Sequence, residues 1–304
     1  MITIIGSGKV GSTTALFLAL KNLAERIVLF DIRKNVACGE ALDLNHSLSS
    51  NDTDVEIIGS DDYSEIKNSD IIILVAGSGR KPGMTRLDLL NTNAKIITEI
   101  VQNIKKYSPD SILIPVTNPL DPITYMSYTI SKFTKNRVIG MGNMLDLSRF
   151  KQLIHKATSY SVSSINALVI GEHGENMLPL TRFATISGIP LESILSKNVL
   201  ENIIQETKQA AADVIKLKGS TEYAPANAIS LIVEAIVRNK RQMMPVSAYL
   251  DGEYGKSNVT VGVPTIIGKN GIEKIIELEL NQDELSAFDK SVTNIKNAIN
   301  SLNI

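Results

Sequence analysis

Between Ile2 and about Gly142, short β-branched runs alternate with longer stretches whose apolar residues recur every three or four positions. Ile2-Thr3-Ile4-Ile5 reads as a buried strand, and Val10, Ala15, Leu16, Leu18 and Ala19 mark a helix immediately after it. Ile27-Val28-Leu29-Phe30 is a second strand. A helix is predicted over 34–48, strands over 55–58 and 71–76, and a long helix over 87–107 with Leu90, Ala94, Ile97, Ile100, Val101 and Ile104 on one face. Residues 112–116 form another wholly apolar strand and 137–140 a short last one. Apolar strands alternating with helices predict a doubly wound parallel sheet covered on both faces.

The pattern changes past Gly142. Helices are predicted over 145–157, 200–218 and 221–239, with strands that read as antiparallel between and after them. Residues 259–263 and 264–267 run up to Gly268-Lys269-Asn270-Gly271, a hairpin-tip sequence, and 275–280 returns. A closing helix carries Leu285, Phe288, Val292, Ile295, Ile299 and Leu302 at helical spacing, for which core packing is the ordinary reading. No repeat or low-complexity linker separates the halves. Residues 1–142 and 143–304 are therefore expected to be two domains that share an interface.

Gly6-Ser7-Gly8-Lys9-Val10-Gly11 joins the first strand to the first helix, and Asp31 ends the second strand. Gly6 permits a tight turn, Gly8 lets a pyrophosphate approach the backbone, and Gly11 lets the helix press on the strand. The helix N-terminus offers unpaired N–H groups and partial positive charge to phosphates. Asp31 is placed to accept hydrogen bonds from an adenosine ribose and to repel a 2′-phosphate. The plain alternative is a glycine-rich turn, but strand, helix, second strand and acid arrive in register, which favours dinucleotide binding. Arg33 leaves NAD against NADP open, because it could reach a phosphate.

The bulk properties narrow the field. A net charge of -1 over 304 residues gives no electrostatic reason to expect nucleic acid or an anionic membrane. The single cysteine, Cys38, excludes an internal disulfide framework and fits a reducing cytoplasm. Met1 leads straight into the first strand, so no signal peptide is expected, and runs such as Ile71-Ile72-Ile73-Leu74-Val75-Ala76 fall far short of a membrane span.

Of three histidines, His46 lies near the end of a helical stretch and His155 on a polar helix face, and both read as structural or solvated. His173 differs: in Gly171-Glu172-His173-Gly174 it follows an apolar strand between two glycines, where a side chain can project into a cleft. A capped turn histidine is the alternative. Asp146 and Arg149, in Leu145-Asp146-Leu147-Ser148-Arg149-Phe150, lie three apart on one helix face; the plain reading is a surface pair, but Leu147 and Phe150 frame them apolarly. Gly77-Ser78-Gly79-Arg80-Lys81-Pro82-Gly83-Met84-Thr85-Arg86 follows a parallel strand at its carboxyl end and carries three cations. It reads either as a solvated basic loop or as a lid that brings cations over an anion.

With Val116-Thr117-Asn118-Pro119-Leu120-Asp121 and Gly219-Ser220-Thr221-Glu222-Tyr223-Ala224-Pro225, these motifs make the whole chain resemble the lactate/malate dehydrogenases, within them the malate branch nearest to lactate dehydrogenases. The resemblance implies an α/β fold: a Rossmann doubly wound parallel sheet with a C-terminal α+β substrate domain containing antiparallel strands. It implies that His173 exchanges the proton, that Asp146 orients it, that Arg149 clamps the substrate's C1 carboxylate, and that Arg86 polarises the reacting carbonyl. Asn118 is implied to contact substrate and cofactor, with a cis bond to Pro119. Gly6, Ser7, Gly8, Lys9, Val10, Gly11, Asp31, Asn93 and Val116 are implied to line the cofactor site. Arg80 stands where lactate-type members carry a neutral glutamine. A second carboxylate drawn into a water-poor site needs its own cation, so Arg80 favours a dicarboxylate. Glu172, the run Met141-Gly142-Asn143-Met144, and Thr221 depart from the malate pattern and bear on fine substrate preference.

The expected reaction is reversible hydride transfer between (S)-malate and oxaloacetate with NAD, NADP not being excluded, and without a metal. A homodimer or homotetramer is implied. Three rivals stand beside it: a 2-hydroxy monocarboxylic acid dehydrogenase, a metal-using NAD-dependent glycoside hydrolase, and a non-catalytic dinucleotide sensor.

Overall fold

A computed structural model of the chain describes residues 1–79 and 83–302, together with the backbone but not the side chain of Arg86. Five parallel strands, β1 (Ile2–Ile5), β2 (Arg26–Phe30), β3 (Glu56–Ser60), β4 (Ile71–Leu74) and β5 (Ile112–Pro115), pair in the order β3-β2-β1-β4-β5. The strands are short and apolar on both faces, and that composition separates two cores. Ile2, Ile4, Ile27, Leu29, Ile71 and Ile73 point into one, against α1 (Lys9–Leu20) and α2 (Lys34–Ser49). Ile5, Phe30, Ile72 and Leu74 point into the other, against α3 (Arg86–Tyr107) and α4 (Leu120–Ser131). A capping box between Thr85 and Asp88 starts α3.

Past Gly142 the layout is mixed. Helix α5 (Asn143–Thr158) is followed by the short strands β6 (Ile165–Asn166), β7 (Val169–Gly171), β8 (Met177–Pro179), β9 (Thr185–Ile186) and β10 (Ile189–Pro190). Two helices follow, α6 (Lys197–Lys218) and α7 (Tyr223–Val237), then β11 (Gln242–Asp251), β12 (Ser257–Gly268), β13 (Gly271–Ile275) and α8 (Gln282–Asn300). Strands run β11-β12-β7-β8 in one antiparallel sheet, with β13 also on β12, and β10-β9-β6 form another. The first of the two cores does not stop at residue 142: it takes in Ile229, Ile232 and Val233 of α7 and Val259, Val261 and Val263 of β12.

The α/β class and its antiparallel C-terminal part are as read from sequence, with local corrections. The strand predicted over 137–140 is reduced to two isolated bridges, Val138 to Leu113 and Gly140 to Ser247, because a 3-10 turn occupies Lys135–Arg137. Residues 259–267 are one strand rather than two, since Pro264 sits opposite Pro245 and the ladder continues past both. The return strand is Gly271–Ile275, so of the predicted 275–280 only Ile275 lies in a strand: the chain reverses directly at Gly268–Gly271. Helix α4 and strand β11 were not anticipated at all. Among the described residues no helix is long and apolar enough to cross a membrane.

The contact between α1 and β1 runs through Gly11, where a Cβ would collide with the Gly6 carbonyl. Backbone on both sides leaves nothing to yield. Gly11→Ala is expected to destabilise the protein by about 1–3 kcal/mol, read as a lower urea midpoint; an unchanged midpoint would show that the helix can ride outward freely.

Candidate active site

The chain order turns round between β1 and β4, and there the loops leaving the carboxyl ends of the strands gather, which is where open α/β sheets bind ligands. Gly6 has φ +108° and its Cβ position lies 2.7 Å from the Ala76 backbone nitrogen, so the turn off β1 admits no side chain. Gly8 is the N-cap of α1, without a side-chain cap, and space for a Cβ there is open. A helix start without a side-chain cap, with room left at Gly8, is an arrangement that fits the pyrophosphate of a dinucleotide. Val10 packs against the core and Lys9 reaches Glu222 at 3.8 Å, at the start of α7.

Asp31 follows β2 and is closely held. Its Oδ2 accepts from the Ser7 N–H (3.0 Å), the Ser7 hydroxyl (3.1 Å) and Arg33 Nη2 (3.2 Å). Its Oδ1 accepts from the Arg33 N–H (3.0 Å) and Nε (3.1 Å). Burial by itself would raise the carboxyl, but these donors outweigh it and hold it at about 2. Ser7 spends its side chain on Asp31.

Asn93, wholly buried on α3, ties together the loops after β4 and β5. Its Oδ1 accepts from the Ser78 N–H (2.7 Å), while Nδ2 donates to the Ser78 carbonyl (3.2 Å) and the Asn118 carbonyl (2.6 Å). Val116 is buried and pairs its N–H with the Leu74 carbonyl, and the Asn118–Pro119 bond is cis. Arg80 and the Arg86 side chain lie outside the described residues.

The second cluster is built where α5 meets the turn after β7. Gly142, with φ +25°, starts α5, and a Cβ there would stand 2.6 Å from Leu120 and 3.5 Å from the His173 Cβ. Gly171 (φ +85°) and Gly174 (φ +143°) bracket His173. Asp146, one turn into α5 and without solvent exposure, takes His173 Nδ1 on one oxygen (2.7 Å) and Arg149 Nη1 on the other (3.0 Å). This contact makes Nδ1 the protonated nitrogen of a neutral ring and leaves Nε2 as the one that can exchange a proton. Burial disfavours a charged imidazole, and Arg149 opposes it too, but the Asp146 charge and hydrogen bond prevail with help from Asp121, so the His173 pKa is raised. His46 is exposed, and His155 Nδ1 lies 2.6 Å from the Tyr160 carbonyl oxygen.

One residue of this cluster escaped the sequence reading. Asp121, in the first turn of α4 and 1% exposed, accepts the His173 N–H (2.8 Å) and the Ser247 hydroxyl (2.6 Å). Its position after Asn118-Pro119 was the available signal. Its partners lie far along the chain.

A dinucleotide cradle at the turning point of a parallel sheet, in one chain with an aspartate-backed histidine beside an arginine, defines a nicotinamide-dependent oxidoreductase. The lactate/malate dehydrogenase NAD binding domain profile matches residues 1–140, and that family's alpha/beta C-terminal domain profile matches 143–303; the chain belongs to the lactate/malate dehydrogenase family. It is 44% identical over 302 residues to the malate dehydrogenase of Geobacillus thermodenitrificans, covering 98% of this chain and 96% of that one. The crystal structure of Cryptosporidium parvum malate dehydrogenase superposes with a TM-score of 0.96 at 39% identity, over 99% of this chain and 98% of that chain. That of Eimeria maxima lactate dehydrogenase with NADH and oxamate gives 0.94, also at 39%, over 97% and 92%.

Asp146→Asn keeps the shape of the contact and removes the charge. The His173 midpoint, followed by NMR of 13Cε1-labelled histidine, is expected to fall by about one pH unit or more. An unmoved midpoint would mean that Asp146 does not govern the ring.

Proposed function

We propose that this chain is an NAD-dependent malate dehydrogenase that interconverts (S)-malate and oxaloacetate, with residues 1–142 holding the cofactor and 143–304 carrying most of the substrate machinery. The observation that carries the reading is the Asp146 carboxylate shared between His173 and Arg149. A histidine with a raised pKa is suited to exchanging a proton near neutrality, and a neighbouring arginine is suited to holding a carboxylate in a fixed orientation.

When bound, NAD supplies or accepts the hydride at the substrate's C2. In malate oxidation, neutral His173 takes the hydroxyl proton at Nε2; in reduction, the imidazolium returns it to the incipient alkoxide. Asp146 stabilises the charged ring, so the proton arrives where its charge is already balanced. Arg149 retains guanidinium donors beyond the Nη1 used on Asp146, enough for a two-pronged grip on the C1 carboxylate. Arg86 is assigned to the reacting carbonyl, where it offsets growing negative charge. Gly6, Gly8, Lys9, Val10 and Gly11 would hold the pyrophosphate, Asp31 with Ser7 behind it the adenosine ribose, and Asn93, Val116 and Asn118 the nicotinamide side. Oligomerisation as a homodimer or homotetramer and a cytoplasmic location complete the proposal.

Arg80 is assigned to the second carboxylate. A pyruvate methyl group would leave its charge without a partner, and sites built around a polar partner reject substrates lacking it by up to about 10⁴-fold. Steady-state assays with NADH should therefore favour oxaloacetate over pyruvate, and Arg80→Gln should collapse that preference. Equal turnover of oxaloacetate by the variant would transfer the chain to the monocarboxylate class.

The Asp31 carboxylate presents a further test. A ribose must displace the Arg33 fork to reach its oxygens. Arg33→Ala is expected to tighten NADH by about threefold to tenfold, the worth of one hydrogen bond, and to leave NADPH no better bound, both read by fluorescence titration. Weaker NADH binding in the variant would make Arg33 a direct cofactor contact instead.

A further inference from the structure

Asp121 is a carboxylate in the interior with two hydrogen-bond donors for its two oxygens, the His173 N–H and the Ser247 hydroxyl. Placing an ion there costs several kcal/mol unless its charge is used or fully compensated. An asparagine would accept the same N–H and meet the same serine without that cost. Three elements are drawn to this one residue. The His173 turn donates to its carboxylate, β11 contributes Ser247 beside it, and Thr260 of β12 donates to its main-chain carbonyl at 2.6 Å. Ser247 is locked in turn by paired backbone hydrogen bonds with Gly140. The bracket is therefore rigid, and it spans the chain from the end of the parallel sheet to the C-terminal strands.

We propose that Asp121 is a positioning residue for His173: it grips the histidine's main chain while Asp146 grips its ring, and its negative charge joins that of Asp146 in stabilising the imidazolium. The proposal rests on the reading of His173 as the proton-exchanging residue. Among the described residues, four charged groups act on the pair. Asp146 and Asp121 favour the charged ring, Arg149 opposes it, and Glu172 of the same turn acts on Asp121 as a like charge. From β11 and β12 come the hydroxyls of Ser247 and Thr260. Burial, countered by Ser247 and His173, leaves the Asp121 carboxyl pushed up to about 6, so it is largely ionised at neutral pH and loses its charge in mildly acidic solution. Oxaloacetate reduction, which needs the imidazolium, thus has an alkaline-side limit set by His173, and the ionised Asp121 carries that limit to higher pH.

The chain has three histidines, so 13Cε1-histidine labelling of the full protein yields a spectrum in which His173 is assigned by its loss in His173→Asn. In Asp121→Asn the His173 midpoint is expected to fall by about half a pH unit or more, a fraction of what a carboxylate within a few ångströms imposes, while His46 and His155 stay in place. The alkaline limb of kcat/KM for oxaloacetate should move down by the same amount. A folded Asp121→Asn protein with an unmoved His173 midpoint reduces Asp121 to a main-chain bracket and overturns the proposal. Should that variant fail to fold, Ser247→Ala retains the charge but removes a donor. The Asp121 ionisation, seen as an acid-side inflection in the His173 shift, should then move upward, and the absence of any such inflection in both the wild type and Ser247→Ala would overturn the proposal equally. A midpoint that moves in a protein inactive on every 2-oxo acid would instead retire the malate reading and leave the Asp121–His173 coupling standing.

Discussion

The site depends on one shared anion. Asp146 has no contact with water, and a buried carboxylate is tolerable only when both oxygens are answered. One answers an imidazole carried by the turn after β7, and the other an arginine one helical turn further along α5. Removing either partner leaves the charge half-compensated, so the carboxylate fixes the distance between them. This is why α5 must begin where it does. Gly142 lets the chain enter the helix at φ +25° with Leu120 and His173 crowded against it, and the helix then presents Asp146 on its inner face.

Much of this was legible in the chain because local chemistry decided it. The parallel strands are apolar on both faces, which few other settings allow, and the glycine loop with Asp31 after the next strand lies at the turn its spacing predicts. Asp146 and Arg149 were legible as a pair because helical spacing puts them together. What could not be read depends on partners far away. Residues 137–140 have the composition of a strand but are bridged only at Val138 and Gly140. Helix α4 carries Pro122 and several hydroxyl residues, and β11 contains Pro245, so neither shows a clean period. Asp121 meets Ser247 across 126 positions and His173 across 52. No spacing rule reaches that far.

The two ends of the site are built on opposite logic. Around Asp31, five donors converge on one carboxylate, so its charge is neutralised beforehand and any ligand must enter by exchange. Around Asp121, donors are scarce and burial dominates, which keeps the carboxyl near its own ionisation. Asn93 sits between these extremes: it carries no charge and uses both ends of its amide to set the spacing of two loops. A neutral amide thus braces the loops, while the buried carboxylates differ in how many donors answer them.

The core that runs from Leu18 of α1 through Ile232 of α7 to Val261 of β12 takes no notice of the boundary near Gly142. Cutting the chain there would strip α1 of the oily surface it lies against. A recombinant 1–142 fragment would display that flank to solvent and tend to self-associate, whatever integrity its parallel sheet retained. The same seam couples the two halves of the intact chain, because parting them would bring that oily surface into water.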